Sequence, residues 1–505
     1  MENQMKRDFV TYRDFGAVGD GKTDDLAAII KTHAYANEHN LPVHGDEGAT
    51  YYLGVHKDTA EIQTDVDWTG CAFIFDDREQ PLEDRSIHFF HVGRTIPSMT
   101  LDELGVTRLE AGQKKLALSK PLPCDCYVSL TDANTRLFIR EGLNQNSGTP
   151  QTDCFILHPD GTVDETTPII WTFPQITASR VHPIETEPLT IRGGTITTIA
   201  NQAPSRYTYY YTNILIERSN VHVVGLKHYV EGEGDHGAPY DGILQVNYCA
   251  NVTVEDCLFT ARKIYETIGS AGRPVNMGSY DMRQRSAINV TYRNCTQTTD
   301  ILDTRYWGVF VSDFCKNLTL DGCTFSRFDA HMGVTNATIR GCTLGHQCLN
   351  AIGHGLLTIE DSTLYGRSFI ALRGDYGSTW NGDVVIRNCT WIPNLGQPVT
   401  AKNALIGGYF SGKHNFGYEC YMPQHVTIDG LHVKDGAHEE GYDGIRLLGN
   451  IVGKCTSDEF VFDYPYHVTK TVEISGFTSD SGCKWKLTTN PYLYRDTVVT
   501  DRDAK

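Results

Sequence analysis

Between Asn251 and Cys389 apolar and polar residues alternate over short runs, and one run keeps returning. It reads Val-Thr-Val-Glu-Asp-Cys at 252–257, Val-Thr-Tyr-Arg-Asn-Cys at 290–295 and Leu-Thr-Leu-Asp-Gly-Cys at 318–323. Ala-Thr-Ile-Arg-Gly-Cys ends at Cys342, Leu-Thr-Ile-Glu-Asp-Ser at Ser362 and Val-Val-Ile-Arg-Asn-Cys at Cys389. Alternation with period two marks a strand with one buried face, and the polar pair before the cysteine marks a bend. The ends are spaced by 38, 28, 19, 20 and 27 residues, which suits a unit of about 20 residues with loops inserted in some copies. Weaker copies end at Gly194, Leu226, Leu431 and Phe477, so the repeat spans about 189–477. One such strand cannot bury its apolar face alone, whereas stacked copies share a continuous core. The expected fold is all-β, a single-stranded parallel β-helix.

A second segment, Asp14-Phe15-Gly16-Ala17-Val18-Gly19-Asp20-Gly21-Lys22-Thr23-Asp24-Asp25, leads into Leu26-Ala27-Ala28-Ile29-Ile30. Two glycine turns and an N-terminal Thr-Asp-Asp predict a helix to about Ala36, capping the open end of the solenoid. This string resembles the N-terminal signature of the pectate-lyase-like superfamily of right-handed β-helix proteins. That superfamily includes polygalacturonase-type glycoside hydrolases, polysaccharide lyases and phage tailspikes, so the resemblance implies a right-handed β-helix and leaves the reaction open.

The expected organisation is an N-terminal cap with the first coils at 1–104, a small β insertion at 105–183, the β-helix core at 184–480 and a C-terminal cap at 481–505. The insertion is read from strand-like runs without the phrase, such as Tyr127-Val-Ser-Leu and Cys154-Phe-Ile-Leu.

Composition narrows the function. The 505 residues carry 44 basic and 62 acidic side chains, a net charge of −18. That balance argues against nucleic acid and against an anionic membrane as partners. Four of the fifteen cysteines, Cys257, Cys295, Cys323 and Cys342, share one repeat position and are expected as a buried row of free thiols. No apolar run reaches about 20 residues, and residues 1–7 lack the apolar centre of a leader, an expectation of a cytoplasmic protein or a trimmed secreted one. Asn251, Asn289, Asn317 and Asn336 stand in Asn-x-Thr triplets just before a phrase, where they read as turn residues rather than glycan acceptors.

A β-helix has no interior cavity, so its ligand lies in an outer groove walled by inserted loops. Counting from the cysteine position predicts Asp303, His331 and Asn350 in one outward row about 4.8 Å apart. Asp329, Arg373, Asp375 and Tyr376 fall nearby, with Tyr306 and Trp307 as aromatic faces for a sugar. Paired carboxylates beside an imidazole suit general acid and base work. An acidic loop carries Glu231, Glu233, Asp235, His236 and Asp241, a composition that could take a divalent cation such as calcium, although no cofactor is required. A further loop offers Arg273, Asn276 and Tyr280. Gly353-His354-Gly355 resembles the Gly-His-Gly of polygalacturonases, without that family's paired aspartates one coil before, which leaves His354 a substrate-binding candidate.

The expected function is a glycoside hydrolase acting on a poly- or oligosaccharide through Asp303, Asp329 and Asp375, with His331 and Arg373 orienting the substrate. The alternatives are a polysaccharide lyase, with His331 or Tyr376 as base, and a non-catalytic glycan-binding protein like a tailspike, which would be a homo-oligomer.

Overall fold

The computed structural model describes residues 8–54, 57–78, 80–81, 85–204 and 209–504, and the leader reading of residues 1–7 lies outside them. Strands wind around one axis as a parallel β-helix, and each coil has three faces. The repeated phrase makes the first face. Its buried row starts at Val10, Val43, Val66 and Ile191, continues through Val223, Val254, Tyr292 and Leu320, and ends at Ile339, Ile359, Ile386, Ile428 and Ile474. The stack therefore begins well before Leu189, and the strand Val498–Asp501 adds one more rung beyond Phe477. Burying each such side chain contributes about 1.5–3 kcal/mol, and the row is unbroken from coil to coil.

The polar pair before the cysteine has a conformational cause. Asp256, Asn294, Gly322, Gly341, Asp361 and Asn388 all take left-handed backbone, with φ of 53°, 52°, 67°, 60°, 51° and 48°. Only Gly, Asn and Asp visit that region cheaply, so the phrase must end in one of them. The chain then enters the second face, with Cys257, Cys295, Cys323, Cys342 and Cys389 turned into the core. All fifteen cysteines are free thiols.

Another left-handed corner precedes the phrase at Asn251, Asn289, Asn317 and Asn336, with φ of 62°, 55°, 55° and 59°. Their side chains form a ladder: Asn289 Nδ2 donates to Asn251 Oδ1 at 2.9 Å, Asn317 to Asn289 at 2.9 Å and Asn336 to Asn317 at 3.1 Å. The triplets are thus turn residues whose amides are engaged.

The N-terminal helix, Leu26–His39, buries Leu26, Ala28, Ile29, Thr32, His33 and Ala36 over the first coils and ends at Asn40 with φ 51°. Cys126–Leu137, Thr149–Leu157 and Ala178–Pro183 form an antiparallel three-stranded sheet. This insertion has its own apolar cluster, from Leu101 to Val181. It is pinned to the β-helix by a buried pair, Lys316 Nζ to Asp153 Oδ1 at 2.7 Å, and by the Tyr127 hydroxyl donating to the Ser286 carbonyl.

Replacing Asn289 by Ala forces a Cβ-bearing residue without a ladder group into left-handed backbone, and is expected to cost about 2 kcal/mol. Asn289→Gly keeps the corner and loses only the ladder, so its urea-unfolding midpoint should fall by about half as much.

Candidate active site

The third face carries the site. Leu244–Asn247, Met282–Arg285 and the first residues of Phe310–Asp321 run in parallel register, with Gln245, Arg283 and Val311 at one level and Asn247, Arg285 and Asp313 two residues on. In the next coil Ser312 pairs with Ala330 but Asp313 pairs with Met332. One extra residue, His331, is accommodated there as a β-bulge, the device by which a strand re-aims a side chain. His331 Nδ1 meets Asp313 Oδ1 at 3.0 Å, and Nε2 lies 3.5 Å from the Tyr376 hydroxyl.

Arg283, Val311, Asp313 and His331 line a cleft of about 380 Å³ with Arg140, Asn144, Tyr209, Asp241, Asn276, Met277, Tyr280, Trp307, Arg327, Arg373 and Asp375. The insertion supplies one wall: Glu141 N donates to the Asp375 carbonyl at 3.0 Å, and Arg140 reaches the Asp375 carboxylate at 2.6 Å. The hairpin of Tyr265–Ile268 and Pro274–Met277 supplies the other, and Ala271 N donates to Leu143 O of the insertion at 3.1 Å.

Charge in the cleft is organised around guanidiniums. Arg283 Nη1 binds Asp241 Oδ2 at 2.6 Å, and its Nη2 binds Asp313 Oδ2 at 3.3 Å. Burial pushes the Asp241 carboxyl up to about 6, with the neighbouring Asp313 charge adding to it and Arg283 opposing it. Burial also acts against ionised Asp313, but the His331 hydrogen bond and the charges of His331 and Arg283 outweigh it and hold that carboxyl at about 2. Two carboxyls on one guanidinium are thereby driven apart. Asp329 is fully buried, clamped by Arg373 Nη1 at 2.8 Å, Arg327 Nη2 at 2.7 Å and the Tyr280 hydroxyl. Burial disfavours its charge, yet the two arginines keep it well below the usual carboxylate range. Asp375 is likewise lowered against its burial by Arg373 and Arg140. Burial pushes the Tyr376 phenol up to about 12.

Of the residues expected from the sequence, the fold brings Asp241, Trp307, Asp329, His331, Arg373, Asp375 and Tyr376 into this one region. The outward row is corrected: Asp329, not His331, pairs with Asn350, because the next coil holds two more residues between Leu344 and Cys348 than this one holds between Phe325 and Arg327. Asp303 lies in the loop before Phe310, held by Arg305 at 2.5 Å, and does not line the cleft. Tyr306 forms an antiparallel bridge with Lys263 and does not line the cleft. His236 and Arg273 are exposed on loops. His354 stands opposite Thr335, just before the corner that leads into the first face, where its ring meets Trp171 of the insertion edge-on at 5.0 Å and burial pulls it down to about 4. Among the described residues no group of acidic, His and Cys side chains has the arrangement of a metal site, the loop at 231–241 included. Glu233 of that loop instead pairs with buried Arg262 at 2.9 Å.

Asp313, Arg283, Arg327 and Arg140 are new to the site. A signal for the first two existed: Leu244, Met282 and Phe310 each stand eight residues before a phrase begins, at Val252, Val290 and Leu318.

This fold is that of the parallel β-helix proteins. No protein-family model matches the sequence, and no curated protein matches it. Solved structures do match in shape. The Pseudomonas phage phi297 tailspike gp61 is 14% identical, with 98% of this chain and 84% of that chain covered and a TM-score of 0.57. The gp54 tailspike of Acinetobacter baumannii bacteriophage AP22, solved with a capsular saccharide, is 11% identical, covers 98% and 76% of the two chains and has a TM-score of 0.53.

Removing one partner of a buried clamp leaves uncompensated charge, so Asp329→Asn is expected to lower stability by about 3–5 kcal/mol in urea unfolding. Asp303→Asn should leave the midpoint unchanged. Since the Asp329 carboxyl is held below its unfolded value of about 4, its contribution is complete above that pH and declines as pH falls further, which acid titration of wild type against Asp329→Asn will read.

Proposed function

We propose that the protein is a carbohydrate-active enzyme, a glycoside hydrolase that cleaves a poly- or oligosaccharide in the third-face cleft. The observation that carries this reading is the pair Asp241 and Asp313 on Arg283, one carboxyl raised to about 6 and one lowered to about 2. Carboxyls driven apart in this way are suited to opposite roles. Asp241 protonates the leaving glycosidic oxygen as its bond to the anomeric carbon breaks, Asp313 stays ionised and stabilises the positive charge that develops there, and water then adds to that carbon and returns a proton to Asp241. His331 orients Asp313, and Trp307 offers a face for a sugar ring. The likeness in fold to a tailspike solved with a capsular saccharide supports a glycan as the ligand.

A second reading, β-elimination on a uronate-containing glycan, is favoured by the continuous chain from Asp313 through His331 to the Tyr376 hydroxyl. There His331 would take the proton next to the uronate carboxyl and Tyr376 would return one to the leaving oxygen.

The deciding experiment incubates the protein with neutral and uronate-containing polysaccharides, following reducing ends and the ultraviolet absorbance of unsaturated uronates together. Hydrolysis gives reducing ends alone. Activity should then fall as pH rises through about 6, where Asp241 loses its proton, and Asp241→Asn should lower kcat by about 10²-fold or more. Absorbance rising in step with reducing ends, abolished in Tyr376→Phe, would replace hydrolysis by elimination. Full activity in both Asp241→Asn and Tyr376→Phe would sink both mechanisms.

A further inference from the structure

Within the cleft, cation and anion balance. Arg140, Arg283, Arg327 and Arg373 are each ion-paired, and their partners are Asp241, Asp313, Asp329 and Asp375. Immediately beside it stand two arginines that no carboxylate pairs directly, Arg180 within the field of Glu217 and Arg285 within that of Asp241 and Asp313. Arg285 stands opposite Asp313 in the third-face ladder. Arg180 reaches the same place from the insertion strand Ala178–Pro183. Both guanidiniums sit on a single ring, with Cζ 5.3 Å from the Tyr248 centroid for Arg180 and 6.0 Å for Arg285. Neither forms an ion pair among the described residues, and both are exposed. Tyr248 is itself held at a left-handed corner, φ 52°, so the ring's position is fixed by the coil rather than by a flexible loop.

Two like charges gathered on one aromatic ring repel each other, and the ring's negative face offsets only part of that. An anion would offset the rest. The surroundings suit one carried by a sugar: a pocket of about 230 Å³ between insertion and β-helix, lined by the hydroxyl-bearing Ser129, Thr131, Thr149, Thr152 and Ser179. Planar guanidiniums match a carboxylate through paired N–H donors.

We propose that this pocket is a carboxylate-binding subsite, which selects an acidic sugar residue next to the one held in the cleft. It rests on the reading of the cleft as a glycan site, and it gives an acidic protein a local means of holding an acidic polymer. The pocket lies one ladder position from Asp313, so it fixes the register of the chain relative to the cleft.

The test is ligand-observed NMR titration of the full chain with D-glucuronate, D-glucose and D-glucose 6-sulfate at low salt. Glucuronate should bind about tenfold more tightly than glucose, and the double substitution Arg180→Gln with Arg285→Gln should remove that preference. Because both side chains are exposed, an unchanged thermal unfolding curve will show that the variant is folded. Equal binding of glucose and glucuronate, or a preference that survives the double substitution, would overturn the proposal. Tighter binding of the sulfate ester than of glucuronate would overturn its assignment to a carboxylate. The titration reads binding without turnover, so loss of cleavage in the polysaccharide assay and loss of the glucuronate preference are separate results, and a failed catalytic reading and a failed subsite are told apart.

Discussion

Every coil of this protein has to turn its corners at the same places, and left-handed backbone is what allows it. Asp, Asn or Gly before the cysteine, and Asn before the phrase, put successive corners directly above one another. The asparagine ladder then ties corner to corner along the axis. Strands that leave aligned corners are aligned themselves, so an outward residue on one coil has a defined neighbour on the next. Arg283 can bridge carboxylates from different segments only because those corners fix the register.

On that regular frame the site is made by departures from regularity. One extra residue in the coil that contains Ala330 turns His331 toward Asp313. An insertion of independent core brings Arg140 to Asp375, and the segment that follows the hairpin brings Tyr280 to Asp329. The buried carboxylates are expensive to ionise, and the arginines that offset this do so unequally. Asp329, with two guanidiniums and a phenol, is committed to holding the walls together. Asp241, with a share in one guanidinium and Asp313 nearby, keeps a proton within reach of neutral pH.

The first face was legible because its inward residues are apolar and its end is marked by Cys. The third was not, and Gln284 and Ser312 explain why: both are fully buried, so polar residues occupy the inward positions while Val311 lies in the cleft wall. Alternation, the signal that revealed one face, is scrambled on the other. Asp329, Arg373, Asp375 and Tyr376 were found because they sit at a countable distance from the repeat. His331 was found but assigned to the wrong neighbour, since the two residues by which Leu344–Cys348 exceeds Phe325–Arg327 leave the repeat spacing itself unchanged. Asp303 was drawn into the row by counting across a coil whose extra residues form the loop that carries it away. Arg140 comes from 235 residues before Asp375, a separation no local pattern reports.

The cysteine row has a consequence for how the protein ages. Contact with neighbouring thiols, together with burial, pushes Cys323 up to about 12, and burial pushes Cys389 up to about 11, so these sulfurs stay protonated and inert while the coils are closed. Opening the coils releases a chain of fifteen thiols with ordinary reactivity. In an oxidising medium random cross-links within that chain would block its rewinding and make unfolding a one-way event. The working lifetime of the molecule is then a matter of how slowly the first coil opens, and not of the free energy between its end states.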